Sequence, residues 1–166
     1  VSGVDLSIAA GEILCVIGPN GAGKSTLFNL ISGIYRPSAG KVLLDGRDIT
    51  GRPAHKIAEA GIARTFQSSR LFTDLTLVDN VVIGMHCRTR TSVLDALLRP
   101  GRARAELDAA AERAGELLRL VSPHLYERRH TLAGTLPQAD RRRLEIARAL
   151  ATEPRLIMLD EPSAGM

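Results

Sequence analysis

The sequence predicts an α/β fold in which strands come first, a helical insertion follows and one more strand closes the chain. Residues 4–8 alternate apolar and polar side chains, as in a half-buried strand, and residues 13–17 form an apolar run typical of a strand buried on both faces. From Gln67 to Pro137 strand signals vanish and alanine, leucine and arginine dominate. Residues 155–159 then return to a strand pattern.

Turn and cap signals place the elements in between. Residues 25–32 predict a helix that ends at Gly33. Thr76 and Asp79 have the spacing of a capping box that opens a helix through Met85. The other predicted elements are a strand at 41–44 with a hairpin turn at Asp45-Gly46, a helix at 53–60, a strand at 62–66, and helices at 103–120 and 141–150.

Composition excludes several classes of protein. The 166 residues are 45% hydrophobic and 24% charged, which is ordinary for a globular domain. No apolar stretch approaches the length of a membrane span. The net charge of +4 is mild and aromatic residues make up 3%, so nucleic acid is not expected as a partner. Cys15 and Cys87 are expected to be reduced, buried thiols, and the run Arg141-Arg142-Arg143 is expected to form a solvated helix face.

A glycine-rich loop carries the main chemical signal. Residues 18–25 fit the pattern G-x-x-x-x-G-K-[ST] between a predicted strand and a predicted helix. Glycines let successive backbone N–H groups wrap phosphate oxygens, and the helix adds its positive end. The lysine reaches the β and γ phosphates, and the following serine can ligate Mg²⁺. The predicted nucleotide-binding residues are Gly18, Pro19, Asn20, Gly21, Ala22, Gly23, Lys24, Ser25 and Thr26; the alternative is a glycine-rich connector with one exposed lysine.

Two carboxylates follow the last predicted strand. Asp160 fits the role of holding the Mg²⁺ hydration shell, and Glu161 fits that of a general base that polarises the attacking water. The alternative is a strand that merely ends in an acidic turn.

These segments together resemble the nucleotide-binding domain of ABC transporters. The segments that carry the resemblance are 18–26, Gln67, 144–150 and Leu159-Asp160-Glu161-Pro162. Within that family, Arg64-Thr65-Phe66-Gln67, Arg70-Leu71-Phe72, 77–81 and 142–145 most resemble ATPase subunits of branched-chain (hydrophobic) amino acid importers, although urea and lipopolysaccharide-export relatives look similar.

The resemblance implies a fold and a set of roles. A P-loop NTPase (RecA-like) core would comprise residues 1–70 and 140–166, truncated at both ends, with a helical subdomain at 71–139. ATP and Mg²⁺ would be the cofactors. Lys24, Gln67 and Glu161 would act in catalysis, and Ser25, Gln67 and Asp160 would hold the metal.

Partners follow from the same resemblance. They would be a second ABC ATPase subunit, transmembrane permease subunits and, indirectly, a periplasmic solute-binding protein. Residues 68–78 would face the coupling helix of the permease. The expected location is the cytoplasmic side of the cell membrane, as a peripheral subunit.

The sequence departs from the family pattern at residues 136–140. The signature motif there is typically Leu-Ser-Gly-Gly-Gln or Leu-Pro-Tyr-Gly-Gln, whereas this chain has Leu-Pro-Gln-Ala-Asp. Ala139 adds a Cβ and Asp140 a negative charge where the motif would close over ATP held by the opposite subunit. We therefore expect one weakened ATP site. The family's switch histidine and adenine-stacking aromatic residue are expected to fall beyond Met166 and before Val1.

Two rival functions stay open. One is an ABC-type ATPase without a permease, acting on nucleic acid or ribosomes, and the other is a nucleotide-binding subunit with little hydrolysis. A plain phosphate-loop kinase or GTPase is disfavoured, because it leaves Gln67 and Asp160-Glu161-Pro162 unexplained and no Asn-Lys-x-Asp motif occurs.

Overall fold

A computed structural model describes residues 1–65, 71–85 and 100–160 of the chain. The chain divides into two compact units, residues 1–60 and 61–166. The predicted division into a core at 1–70 and 140–166 and a helical subdomain at 71–139 stays a prediction. None of the helices in the described ranges combines the length and apolarity that a membrane crossing requires.

The first unit contains two helices and a hairpin. Helix α1 spans Lys24–Ile31 and helix α2 spans Ala54–Ala60, and strands β1 (Leu43–Leu44) and β2 (Arg47–Asp48) lie between them. Ile49 and Ile57 form the buried centre of this unit, each 2% exposed. Gly33 has φ +72, and a Cβ there would overlap the Arg52 carbonyl oxygen and the Ile57 side chain. The predicted helix end at Gly33 is therefore confirmed, with a steric reason.

The predicted hairpin is also confirmed. β1 pairs antiparallel with β2, with Leu44 opposite Arg47. Both residues of the connection have positive φ, 48° at Asp45 and 75° at Gly46, as a two-residue turn of the favoured hand requires. Hydrogen bonds from the Thr50 side chain and amide lower the pKa of Asp48 and close the base of the hairpin.

The predictions for residues 4–8 and 13–17 are wrong. Residues 1–20 contain no strand, and Ile13 and Ile17 are 95% and 86% exposed. An apolar run indicates that a segment is suited to burial, but burial also needs neighbouring strands that supply backbone partners. The described strands pair only as β1 with β2 and as the two strands of the second unit. Cys15 lies in the same run and is exposed rather than buried, and Cys87 lies outside the described residues.

The second unit begins with a parallel strand pair. β3 spans Ile62–Arg64 and β4 spans Leu156–Met158, with Ile62 opposite Leu156 and Arg64 opposite Met158. The Thr65 amide extends the ladder by donating to the Met158 carbonyl over 3.0 Å. The strands predicted at 62–66 and 155–159 are thus confirmed in shorter form. Because the pair is parallel, both carboxyl ends lie at one edge.

Four α-helices lie in residues 71–85 and 100–160 of the second unit. They are α3 (Leu77–Gly84), α4 (Pro100–Val121), α5 (Pro123–Glu127) and α6 (Gln138–Leu150). Their shared core is apolar and contains the fully buried residues Leu77, Val81, Leu118, Leu125 and Leu144. The helices predicted at 76–85, 103–120 and 141–150 are confirmed. Helix α5 and a 3-10 turn at Ala133–Thr135 were not predicted, although Pro123 at the first position of α5 is a helix-start signal.

Asn80 holds the loop that precedes α3. Its side chain is fully buried, and Oδ1 accepts from the Phe72 amide over 2.9 Å. Nδ2 donates to the carbonyls of Phe72 and Thr76, over 3.0 and 2.9 Å. At the predicted capping box, the Thr76 hydroxyl accepts from the Asp79 amide over 3.2 Å, which is the N-cap bond of that motif. One amide side chain therefore fixes the path of residues 72–76.

Replacing Asn80 should destabilise the protein more than replacing the neighbouring helix cap. Asn80→Ala removes the partner of the Phe72 amide and one of the two donors to each of the Phe72 and Thr76 carbonyls. We expect a loss of about 2–4 kcal/mol in the free energy of unfolding. Thr76→Ala removes a cap and should cost about 1 kcal/mol. Urea unfolding of the intact protein measures both. A smaller loss for Asn80→Ala than for Thr76→Ala would contradict the role given to Asn80.

Candidate nucleotide-binding site

Lys24 closes the glycine-rich loop on itself. Its Nζ donates to the Gly18 carbonyl over 2.6 Å and to the Pro19 carbonyl over 2.9 Å. An ammonium has three donors, so two bonds to the loop leave one for a phosphate oxygen. The Ala22 amide donates to the Pro19 carbonyl over 3.2 Å, which closes a turn inside the loop. Lys24 thus both stabilises the closed conformation of the loop and gives the loop its positive charge.

Two glycines give the loop its curvature. Gly21 has φ 83°, and Gly23, which caps α1, has φ 93°. These values are unfavourable for any residue with a Cβ, and backbone bends of this kind can aim successive N–H groups at an anion. Gly18 differs, because its φ is not positive and a Cβ there would meet only the Ala22 Cβ at 3.4 Å. The conformational demand for glycine therefore lies at 21 and 23.

The helix after the loop supplies further polar groups. Lys24 is the first residue of α1, and Leu27 donates its amide to the Gly23 carbonyl over 2.9 Å. Ser25 is exposed and Thr26 half-buried. The α1 amides preceding Leu27 have no partner within the helix, which makes its first turn suited to an anion. Pro19 and Asn20 are exposed residues of the loop.

Asp160 is held at the end of β4 by three residues. Its Oδ2 accepts from Arg64 Nη2 over 3.2 Å, and its amide donates to the Thr65 hydroxyl over 3.3 Å. Its carbonyl oxygen accepts from Arg142 Nη2 over 2.6 Å. The carboxylate, the amide and the carbonyl of Asp160 are each fixed by a different residue.

Sequence reasoning missed these partners and misread one of them. The run Arg141-Arg142-Arg143 was expected to form a solvated face, but Arg142 is 6% exposed. Successive residues of a helix point about 100° apart, so three in a row cannot share one face. The position of Arg64 inside an apolar strand predicts an ion-pair partner, because a buried charge needs one.

The donors available for Mg²⁺ are oxygens. Ser25 offers a hydroxyl and Asp160 a carboxylate, which are ligands that a hard cation prefers. No three His, Cys, Asp or Glu side chains of residues 1–65, 71–85 and 100–160 cluster as a metal cage. A nucleotide-bound Mg²⁺ needs only one or two carboxylates together with phosphates and water. The oxygen donors of Ser25 and of Asp160 are each of a type that fits such an ion.

Two predicted site residues lie outside the described part of the chain. Gln67 and Glu161 are among the residues that the structure does not describe. The loop at 18–25 belongs to the first unit and Asp160 to the second. Their convergence on one triphosphate stays a prediction.

The degenerate signature segment forms the start of α6. Gln138, Ala139 and Asp140 are its first three residues. Asp140 is 8% exposed and accepts from Arg143 Nη1 over 2.9 Å. Its carboxylate thus lies in the first turn of the helix, where a negative charge is favourable. Arg141 donates to the carbonyls of Leu136 and Gly134, over 2.9 and 2.8 Å.

These features define an ATP-binding cassette. The chain matches the ABC transporter family over residues 1–164 and belongs to that family. Over its full length it is 44% identical to the high-affinity branched-chain amino acid transport ATP-binding protein BraF of Pseudomonas aeruginosa. It is 40% identical to LivG of Escherichia coli K12, which carries the same description. The chain spans 64% of the length of each of these relatives.

Solved structures show the same fold. MJ1267, an ATP-binding cassette of an ABC transporter, superposes with a TM-score of 0.79 at 32% identity, over 99% of this chain and 63% of that one. The dimeric cassette MJ0796 bound to ADP and Pi gives a TM-score of 0.76 at 26% identity, over 98% of this chain and 66% of that one. The predicted P-loop NTPase fold and the family are confirmed.

Alanine at Gly23 should strain the loop, whereas alanine at Gly18 should not. The left-handed conformation costs a residue with a Cβ about 1–2 kcal/mol, so Gly23→Ala should speed hydrogen exchange of the α1 amides. Gly18→Ala serves as the matched control, because its φ is not positive. Hydrogen exchange read by mass spectrometry tests the difference. Equal protection in the two variants would show that the curvature at Gly23 is not needed.

Proposed function

We propose that this chain binds and hydrolyses ATP as the nucleotide-binding subunit of an ABC importer for branched-chain or hydrophobic amino acids. The observation that carries the proposal is the loop of residues 18–25, with positive φ at Gly21 and Gly23 and with Lys24 drawn across it. The names of the relatives BraF and LivG support the solute class. Export is the competing direction of transport, because the chain is also 39% identical to the lipopolysaccharide export system ATP-binding protein LptB of Acidithiobacillus ferridurans.

The roles of the residues follow from charge and position. Lys24 and the loop amides would hold the triphosphate, and Ser25, Gln67 and Asp160 would hold Mg²⁺. Bound Mg²⁺ neutralises the charge that develops on the β and γ oxygens. Glu161 would accept a proton from the attacking water and direct it in line with the γ-phosphorus. This chemistry is mostly positioning and charge stabilisation.

The coupling to transport would run through the segment after β3. Residues 68–78 would meet permease subunits, and the described part of this segment carries exposed Phe72 and Leu75, at 49% and 36%. Asn80 holds these residues in place from within the core. Such a subunit would sit peripherally on the cytoplasmic side of the membrane. It would pair with a second ATPase subunit and serve a periplasmic solute-binding protein indirectly.

Removing the Lys24 charge should weaken nucleotide binding. Lys24→Met deletes a charge-assisted phosphate contact of about 1.5–3 kcal/mol, which is about tenfold or more in ATP affinity. Lys41→Met is the matched control, since Lys41 is an exposed lysine of the same unit. Titration of the intact protein with a fluorescent ATP analogue and leucine uptake by cells that carry the permease give two separate readings.

The two readings test different parts of the proposal. Unchanged ATP affinity in Lys24→Met would refute the nucleotide site. Lost ATP affinity with unchanged leucine uptake would refute the solute class while leaving the nucleotide site intact. Nucleic acid rather than permease co-purifying with the intact protein would favour the ATPase without a permease.

A subunit with one weak ATP site is the second candidate function. Asp140 carries a buried negative charge in the first turn of α6, the place where the resemblance puts a phosphate contact. A phosphate brought to that turn would meet the carboxylate and lose the contribution of the helix end. The ATP held by the opposite subunit would then be bound poorly, and only one site of a heterodimer would work.

Restoring the motif should raise activity. The double change Ala139→Gly, Asp140→Gln removes both the Cβ and the charge, and ATP turnover of the assembled complex should rise about tenfold. Arg143→Gln is the control, because it breaks the same ion pair but leaves the Asp140 charge in place. Steady-state turnover and dimerisation are measured together. No gain in either for the double change would rule out the weak-site hypothesis.

A further inference from the structure

Helix α6 is tied to the end of β4 by a buried ion pair. Arg142 Nη1 donates to Glu145 Oε2 over 2.9 Å, and the side chains are 7% and 4% exposed. The same guanidinium donates through Nη2 to the Asp160 carbonyl over 2.6 Å. One planar group therefore holds a carboxylate of its own helix and a carbonyl of the strand end at once.

The chemistry of arginine makes this tie stiff. A guanidinium presents its donors in a fixed fork, so the direction of the bond to Glu145 sets the direction of the bond to Asp160. Hydrogen bonds from a charged donor are stronger than neutral ones, and low exposure keeps water from competing for them. Glu145 balances the positive charge of Arg142, and Arg142 binds the carbonyl of Asp160 rather than its carboxylate. Arg142 therefore does not occupy the carboxylate oxygens that a cation would need.

Hydrogen bonds also connect the first turn of α6 to the residues before it. Arg141, the neighbouring residue, binds the carbonyls of Leu136 and Gly134. The turn before α6 and the helix itself are thereby joined as one body. A displacement of that body would reach Asp160 through Arg142, because the guanidinium links the helix to the Asp160 carbonyl.

Asp160 has little freedom to absorb such a displacement. Arg64 Nη2 holds its carboxylate and Thr65 its amide, both from the end of β3. A shift of the Asp160 carbonyl would therefore rotate the carboxylate against fixed partners.

We propose that Arg142 is a positioning residue that couples the start of α6 to divalent-metal binding at Asp160. The inference rests on the proposed function, since it requires that Asp160 hold the metal of a bound nucleotide. The buried Arg142–Glu145 pair joins the segment of residues 136–140 to the metal-binding carboxylate. A change at the start of α6 then alters the metal affinity of the chain's own nucleotide site.

The test removes the pair without leaving a buried charge. Arg142→Met with Glu145→Met replaces the ion pair by apolar side chains of similar volume, a change that proteins often tolerate. The matched control is Arg113→Met with Glu153→Met, because this exposed pair has the same charges and does not touch Asp160. Asp160→Asn is measured in parallel.

The readout separates metal binding from nucleotide binding. Electron paramagnetic resonance measures Mn²⁺ affinity of the intact protein loaded with a non-hydrolysable ATP analogue, and a titration in EDTA measures the analogue alone. We expect Mn²⁺ affinity to fall about tenfold in the Arg142, Glu145 variant, with analogue affinity in EDTA unchanged. The control pair should leave both values unchanged.

Each other outcome overturns a defined part. Unchanged Mn²⁺ affinity in the Arg142, Glu145 variant, with a loss in Asp160→Asn, would overturn the coupling and leave the proposed function standing. Unchanged Mn²⁺ affinity in Asp160→Asn would remove the metal role of Asp160 and the coupling with it. Equal losses of Mn²⁺ and analogue affinity would mark the pair as structural and also overturn the coupling.

Discussion

The parallel pairing of β3 with β4 is the constraint on which the second unit depends. Parallel strands end at the same edge, so the register that sets Arg64 opposite Met158 also brings Arg64 and Thr65 within reach of Asp160. Arg64 and Asp160 are 96 positions apart in the chain, and the described residues between them include four helices, of which α6 contacts β3. A short ladder therefore decides where a distant carboxylate can act.

Elements with strong local signals could be predicted from the sequence. At the predicted capping box, the Thr76 hydroxyl accepts from the Asp79 amide. The Asp45-Gly46 turn has the positive φ values that those residue types allow. The absence of strands at 4–8 and 13–17 could not be predicted in the same way. An apolar pattern is a property of one segment, whereas a strand exists only with a partner, and the described structure pairs none with these residues.

The candidate site likewise has one part that could be predicted from local sequence and one part that could not. The conformation of the phosphate loop is encoded within eight positions, so its lysine and glycines could be read directly from residues 18–25. The surroundings of Asp160 depend on arginines from a strand and a helix that are far away in sequence. Of these, Arg142 looked like one of three equivalent surface charges. Only the packing of α6 shows that it points inward, at 6% exposure.

Charge compensation explains why α6 can carry so many ionisable groups at a buried surface. Asp140 is balanced by Arg143, and Glu145 by Arg142, each at three positions along the helix. Glu145 also opposes the lowering of the Arg148 pKa that burial causes. Both carboxylates of the helix are therefore paired, and the ion pairs fix the directions of the side chains that form them. The Asp160 carbonyl is thus held in a fixed direction by a helix whose other end packs in the apolar core, while Arg64 of β3 holds the carboxylate.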